Sequence, residues 1–177
     1  MVVTLIGFRG TGKSTIAAPL AERLEFDWVD ADIELEERAG RTIKQIFDTD
    51  GEPEFRRLER ETLVNLLKRE NIVIAAGGGA PMNPDTFRNF QAAGPVIWLQ
   101  ASTATIENRL YGDNTTEQRR PNLTTSGGRS EIEELLETRT PIYQDCATFA
   151  VSTEELSPAE IVEQIVKHIE QARNNSK

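Results

Sequence analysis

The run Gly7-Phe8-Arg9-Gly10-Thr11-Gly12-Lys13-Ser14 constrains the fold of this chain more than any other segment. It fits the spacing G-x-x-x-x-G-K-[ST] without a gap. It stands between an apolar run, Val2 to Ile6, and a stretch of helical periodicity, Lys13 to Leu24, which is the context that gives the motif structural meaning. Glycine lets the backbone curl until its N–H groups converge, and the helix that follows turns the positive end of its dipole toward the same point. Such a turn holds a phosphate chain. Lys13 then reaches the β and γ phosphates, and the Ser14 hydroxyl is placed to ligate Mg²⁺. The nucleotide contacts expected from the loop are Gly10, Thr11, Gly12, Lys13, Ser14 and Thr15. The motif does not separate a kinase from an NTPase or a switch. Arg9, inside it, is either phosphate-facing or merely exposed.

The rest of the chain alternates between strand and helix patterns. Further strands are expected at Phe26 to Val29, Asn71 to Ala76, Val96 to Leu99 and Thr148 to Val151. Helical stretches run from about Ile33 to Ala39, Ile43 to Phe47, Pro53 to Arg69, Pro84 to Ala92, Thr103 to Leu110, Ser130 to Tyr143 and Pro158 to Ala172. Strands that alternate with helices imply a parallel sheet covered on both faces, an α/β three-layer sandwich. Tyr111 to Arg129 is polar, lacks apolar periodicity and carries Arg119-Arg120, which suggests a mobile functional loop. With 177 residues, no repeat and no linker, residues 1–177 read as a single domain, with a frayed tail from Asn174.

Charge narrows the partners. Lys and Arg total 20 against 29 Asp and Glu, a net −9, which argues against binding nucleic acid or an anionic membrane surface. A small anionic substrate stays compatible, because a few arginines suffice for a local positive pocket. No apolar stretch approaches the roughly 20 residues of a membrane helix. Met1 to Ile6 lacks the basic start and cleavage site of a signal peptide, so a cytoplasmic protein is expected. Cys146 is the only cysteine, which excludes an intrachain disulfide and suggests a small core residue. His168 is the only histidine, which excludes a histidine-based metal cluster. Its place near the C-terminus suggests the surface.

Several other residues suit the chemistry of an acceptor. Asp30-Ala31-Asp32 follows the second strand, and strand ends of this kind face the ligand crevice of a doubly wound sheet. In an extended stretch the two carboxylates would project to one side, one holding Mg²⁺ through water and the other accepting an alcohol proton. Capping of the next helix is the alternative. Arg56 shares a helical region with Phe55, Leu58 and Glu59 and could offer a guanidinium fork to a carboxylate, or simply form surface ion pairs. Gly77-Gly78-Gly79 stops a buried strand and would let a ligand ring approach the backbone, or make a tight turn. Arg139, four residues from Tyr143 on one helical face, is a second possible anion clamp, although Pro141 suggests a kink or an early helix end. Arg109 could stack on a nucleobase or pair with phosphate.

Taken in order and spacing over nearly the whole chain, these residues resemble the shikimate kinase family. The pieces are the loop Gly7 to Thr15, Asp30-Ala31-Asp32, Gly51-Glu52 with Phe55-Arg56 and Glu59, the glycine triplet, Arg120-Pro121, and Arg139 with Tyr143. The resemblance implies a five-stranded parallel sheet of the P-loop nucleoside monophosphate kinase type, with a mobile lid over about 111–129. It implies that Asp32 contacts the acceptor hydroxyl and is the base. Arg56 and Arg139 would hold the shikimate carboxylate, with Gly77, Gly78 and Gly79 packing against the substrate. Arg120 would close over the phosphates from the lid, and Arg109 would border adenine. Lys13, Asp32 and Arg120 are the expected catalytic residues, and Ser14 and Asp30, the latter through water, the expected Mg²⁺ ligands. Arg9 and Asn122 depart from the usual family pattern, in the loop and in the lid, without removing a reacting group. The activity implied is ATP-dependent phosphorylation of the shikimate 3-hydroxyl, with Mg²⁺ as cofactor and ATP and shikimate as small-molecule partners of a monomer. A related kinase acting on another polyol acid, such as gluconate, or a nucleotide-sensing module remain the other readings.

Overall fold

The computed structural model describes residues 1–111 and 128–175, without the side chains of residues 111, 128 and 175. Most of the expected lid, 112–127 with Arg119, Arg120, Pro121 and Asn122, therefore lies outside the described residues, while its expected ends at Tyr111 and Arg129 belong to helices. The described elements run β1 (Val2–Ile6), α1 (Lys13–Leu24), β2 (Asp27–Asp30), α2 (Ala31–Ala39), α3 (Ile43–Leu66), β3 (Ile72–Ala75), a 3₁₀ turn (Ala80–Met82), α4 (Pro84–Ala93), β4 (Val96–Gln100), α5 (Thr103–Tyr111), α6 (Gly128–Cys146), β5 (Phe149–Ser152) and α7 (Pro158–Asn175).

The strands form one parallel sheet in the order β2-β3-β1-β4-β5. β1 is central and wholly buried, which explains why it reads as an unbroken apolar run. Its side chains alternate between two cores. Val3 and Leu5 pack with Ile16, Leu20 and Ile165 from α1 and α7 on one face. Val2 and Ile6 pack with Leu63, Leu66, Phe90 and Tyr143 from α3, α4 and α6 on the other. The chain leaves β1 to one side for β2 and β3 and to the other for β4 and β5. A crevice at the carboxyl ends of the strands follows from such a change of direction.

Several boundaries differ from the sequence reading, each for a local reason. α2 begins at Ala31, because the Asp30 side chain accepts from the Asp32 and Ile33 amides and caps it. Asp32 thus lies in a helical first turn and not in an extended stretch. The two helices expected on either side of Gly51 are both present; α3 names the pair, and the chain breaks between them where Gly51 takes a non-helical φ of 79°. α3 starts at a capping box between Thr42 and Gln45. Pro141 does not end α6, which continues to Cys146. Past the proline, Tyr143 and Cys146 are buried in the core and hold the helix in place. Cys146 is a core residue as expected, and burial pushes its thiol up to about 11. His168 is not at the open surface. It is half-buried and stacked on Phe149, with ring centroids 4.3 Å apart.

Candidate active site

The turn after β1 curls as its glycines allow: Gly7, Gly10 and Gly12 take φ of 137°, 79° and 92°, values that side chains rarely adopt. Thr11 is buried, and its hydroxyl donates to the Phe8 carbonyl at 2.8 Å, tying the turn to itself. Gly12 is the N-cap of α1 and has no side chain to cap it. Gly12 and the first helical residues Lys13, Ser14 and Thr15 all line a cavity of about 600 Å³. Lys13 Nζ donates to the carbonyls of Gly7 and Phe8, each at 2.8 Å, which holds its ammonium over the turn.

The far wall of this cavity comes from the end of the chain. Arg109, on α5, donates to the Thr153 hydroxyl and carbonyl at 2.9 and 2.6 Å and to the Gly10 carbonyl at 3.2 Å. Thr153, Leu156, Pro158 and Ile161 complete the wall. Arg109, expected on the nucleotide side, lines the same cavity as the phosphate loop, whereas the segment after β5 was not singled out from sequence. It carries no motif, and only the sheet order brings it beside the phosphate loop.

Ser14 and Asp30 meet as expected. The Ser14 hydroxyl donates to Asp30 Oδ2 at 2.5 Å, while Oδ1 caps α2. Capping and metal ligation, which the sequence offered as alternatives for this carboxylate, are therefore compatible. The paired hydroxyl and carboxylate oxygens are hard donors of the kind Mg²⁺ takes. Among the described residues no group of three or more His, Cys, Asp or Glu could cage a metal.

A second, smaller cavity adjoins the first. Arg56, Glu59, Gly77, Gly78, Gly79 and Arg139 line it, with Ile43, Phe47 and Phe55 as an apolar side. Among the described residues, only Arg9, Asp32 and Ile43 line both cavities. Arg56 donates to Glu59 at 2.8 Å and to Glu52 at 3.1 Å, so the ion pairs expected of a surface arginine coexist with a place in the cavity. Burial opposes its charge, but Glu59 and Glu52 more than offset this and hold its pKa above the ordinary value. Glu59 is buried, and desolvation pushes its carboxyl above the usual range against the pull of Arg56 and Arg139. Arg139 is 8% exposed, with its guanidinium 5.6 Å from the centre of the Phe8 ring. Tyr143, whose hydroxyl burial pushes up to about 12, donates it to the Gly78 carbonyl.

The glycine triplet is required for space rather than for backbone conformation. A Cβ at Gly77 would come within 2.8 Å of Glu59 Oε1 and 3.1 Å of Asp32 Oδ1. One at Gly79 would come within 2.7 Å of an Arg56 guanidinium nitrogen. The close approach inferred from sequence is thus made by the cavity's own side chains. Glu59 was legible as a neighbour of Arg56 in one helical region and as part of the resemblance, and Ile43 and Phe47 only as the ends of an expected helix.

The sequence pattern of the family described as shikimate kinase matches residues 9–170. A shikimate kinase of Thermobifida fusca is 42% identical, over 95% of this chain and 94% of its own. One from Vibrio parahaemolyticus is 37% identical, over 96% of each. The structure of shikimate kinase from Acinetobacter baumannii in complex with shikimate superposes with a TM-score of 0.90 at 29% identity, covering 97% of this chain and 93% of that one. The loop, the parallel sheet and the paired cavities accord with that likeness along the whole chain, which belongs to the shikimate kinase family.

Proposed function

We propose that this chain transfers the γ-phosphoryl group of ATP to the 3-hydroxyl of shikimate, with Asp32 at the point of transfer. The observation that carries this assignment is the position of Asp32, which lines both the cavity around the phosphate loop and the cavity of the two buried or half-buried arginines. The first amides of α1 and Lys13 hold the β and γ phosphates. Arg56 and Arg139 hold the shikimate carboxylate through charge-assisted hydrogen bonds, and the glycine triplet forms the floor beneath the ring. The Asp32 carboxylate takes the hydroxyl proton as the acceptor oxygen bonds to the γ phosphorus and the bond to the β–γ bridging oxygen breaks, releasing ADP. Ser14, and Asp30 through water, would hold Mg²⁺, which would supply positive charge to the phosphates. Arg109 borders the base. Arg120 carries the further positive charge that the resemblance implies. Both cavities meet within one chain, which supports a monomer working as a single unit over residues 1–177. Use of ATP and a buried free thiol suit the cytoplasm.

The test is a coupled assay of ADP release with and without shikimate, with Mg²⁺ present or chelated. ADP release should require both. Equal turnover of gluconate, or none of shikimate, would overturn the assignment.

A further inference from the structure

Arg9 is the basic residue that the loop motif does not call for. It lines both cavities, as Asp32 does, but from the side of the phosphate loop. One guanidinium nitrogen donates to Glu131 Oε1 at 2.6 Å, across 122 residues of sequence. Glu131 lies in the first turn of α6 with no exposed surface. Arg9 Nε is buried and has no hydrogen-bond partner among the described residues. Its guanidinium lies 5.8 Å from the Phe8 ring centre, on the same ring that Arg139 approaches.

A buried ion pair is a poor way to stabilise a fold, because desolvation of both charges offsets much of their attraction. It does fix a charge at a defined place. Here that place is the boundary that a phosphoryl group must cross. We propose that Arg9 is a catalytic residue that hydrogen-bonds the phosphoryl group as it passes from ATP to the acceptor, and that Glu131 is the positioning residue that holds its guanidinium at the boundary. This rests on the function proposed above. The transfer breaks the bond from the γ phosphorus to the β–γ bridging oxygen and forms one to the acceptor oxygen, and the hydroxyl proton goes to Asp32. Arg9 exchanges no proton. Paired with Glu131, it adds little net charge to the acceptor cavity and leaves the carboxylate to Arg56 and Arg139.

The test compares wild type with Arg9→Met, Glu131→Gln and the double variant, which removes both charges of this pair together and so guards against misfolding. Thermal melts establish folding, kcat is measured for each, and Kd is titrated for ATP, shikimate and shikimate 3-phosphate. The folded double variant should bind shikimate as wild type does. Its kcat and its affinity for shikimate 3-phosphate should both fall by roughly 10- to 100-fold, the range for losing a hydrogen bond to a charged group. Glu131→Gln should lower kcat without changing shikimate Kd, a split that a purely structural clasp would not produce. A folded double variant with wild-type kcat and product affinity would overturn the proposal and leave the pair as a clasp between loop and helix. If wild type itself ignores shikimate, both readings fall; if only the double variant is unaffected, this one falls alone.

Discussion

Asp32 and Gly79 show how much one atom's position decides. Asp32→Asn keeps the shape and can still accept a hydrogen bond from the hydroxyl, but it cannot take the proton. General-base assistance is worth about 10²–10⁴, so kcat should fall by that order while the Kd for shikimate changes far less. Wild-type kcat in that variant would reduce Asp32 to a binding residue. Gly79→Ala acts differently. Its Cβ would stand 2.7 and 3.0 Å from the two terminal nitrogens of Arg56, a flexible group that yields, so the protein should fold normally. Arg56 would be displaced from the cavity, and shikimate Kd should rise roughly tenfold, the low end of the range for a charge-assisted contact. Isothermal titration with shikimate and with ATP checks that only the first is affected. The need for small residues at 77–79 was legible from three glycines after a buried strand. What crowds them was not, because Glu59 and Arg56 reach the triplet only through the packing of α3 against β3.

At the level of elements, two helices far apart in sequence each supply one arginine. Arg56 sits just past the kink of α3, and Arg139 is on the buried face of α6. Arg56→Ala and Arg139→Ala should each weaken shikimate binding by roughly 10- to 100-fold and leave ATP binding nearly intact. An arginine whose loss weakened ATP instead would belong to the nucleotide side. α5 gives a pH test. The Glu154 carboxylate accepts from the Ser102 amide and the Thr105 hydroxyl at the start of that helix, and these hydrogen bonds hold it down at about 2. A lowered carboxylate adds stability above its ordinary range and loses it as the pH falls toward about 2. Wild type should therefore melt higher than Glu154→Gln at pH 7, with the gap closing in acid. A gap independent of pH would show that the charge contributes nothing. The helices themselves were legible from periodicity. The run through Pro141 was not, because local rules see the missing N–H and not the buried Tyr143 and Cys146 beyond it.

For the whole molecule, the central strand carries both cores. Leu5→Ala, at a fully buried position between the sheet and α1 and α7, should cost about 2–5 kcal/mol with little change in the denaturant slope. Urea unfolding measures both, and a loss under about 1 kcal/mol, well below that of a typical core cavity, would mean that the core closes around the gap. The fold class was legible because a phosphate loop between strand and helix, followed by regular alternation, leaves few arrangements. The boundary formed by Asp32, Arg9 and Ile43 was not, since it depends on distant segments converging at the strand ends. The nucleotide cavity shows the same dependence in time. Its phosphate loop is made well before its opposite wall, in which Thr153 accepts from Arg109. A nascent chain halted after β4 has a loop with half a cavity around it. Nucleotide binding in this protein thus depends on a segment that follows β5, and the loop with the strands before it should hold a nucleotide more weakly than the folded chain.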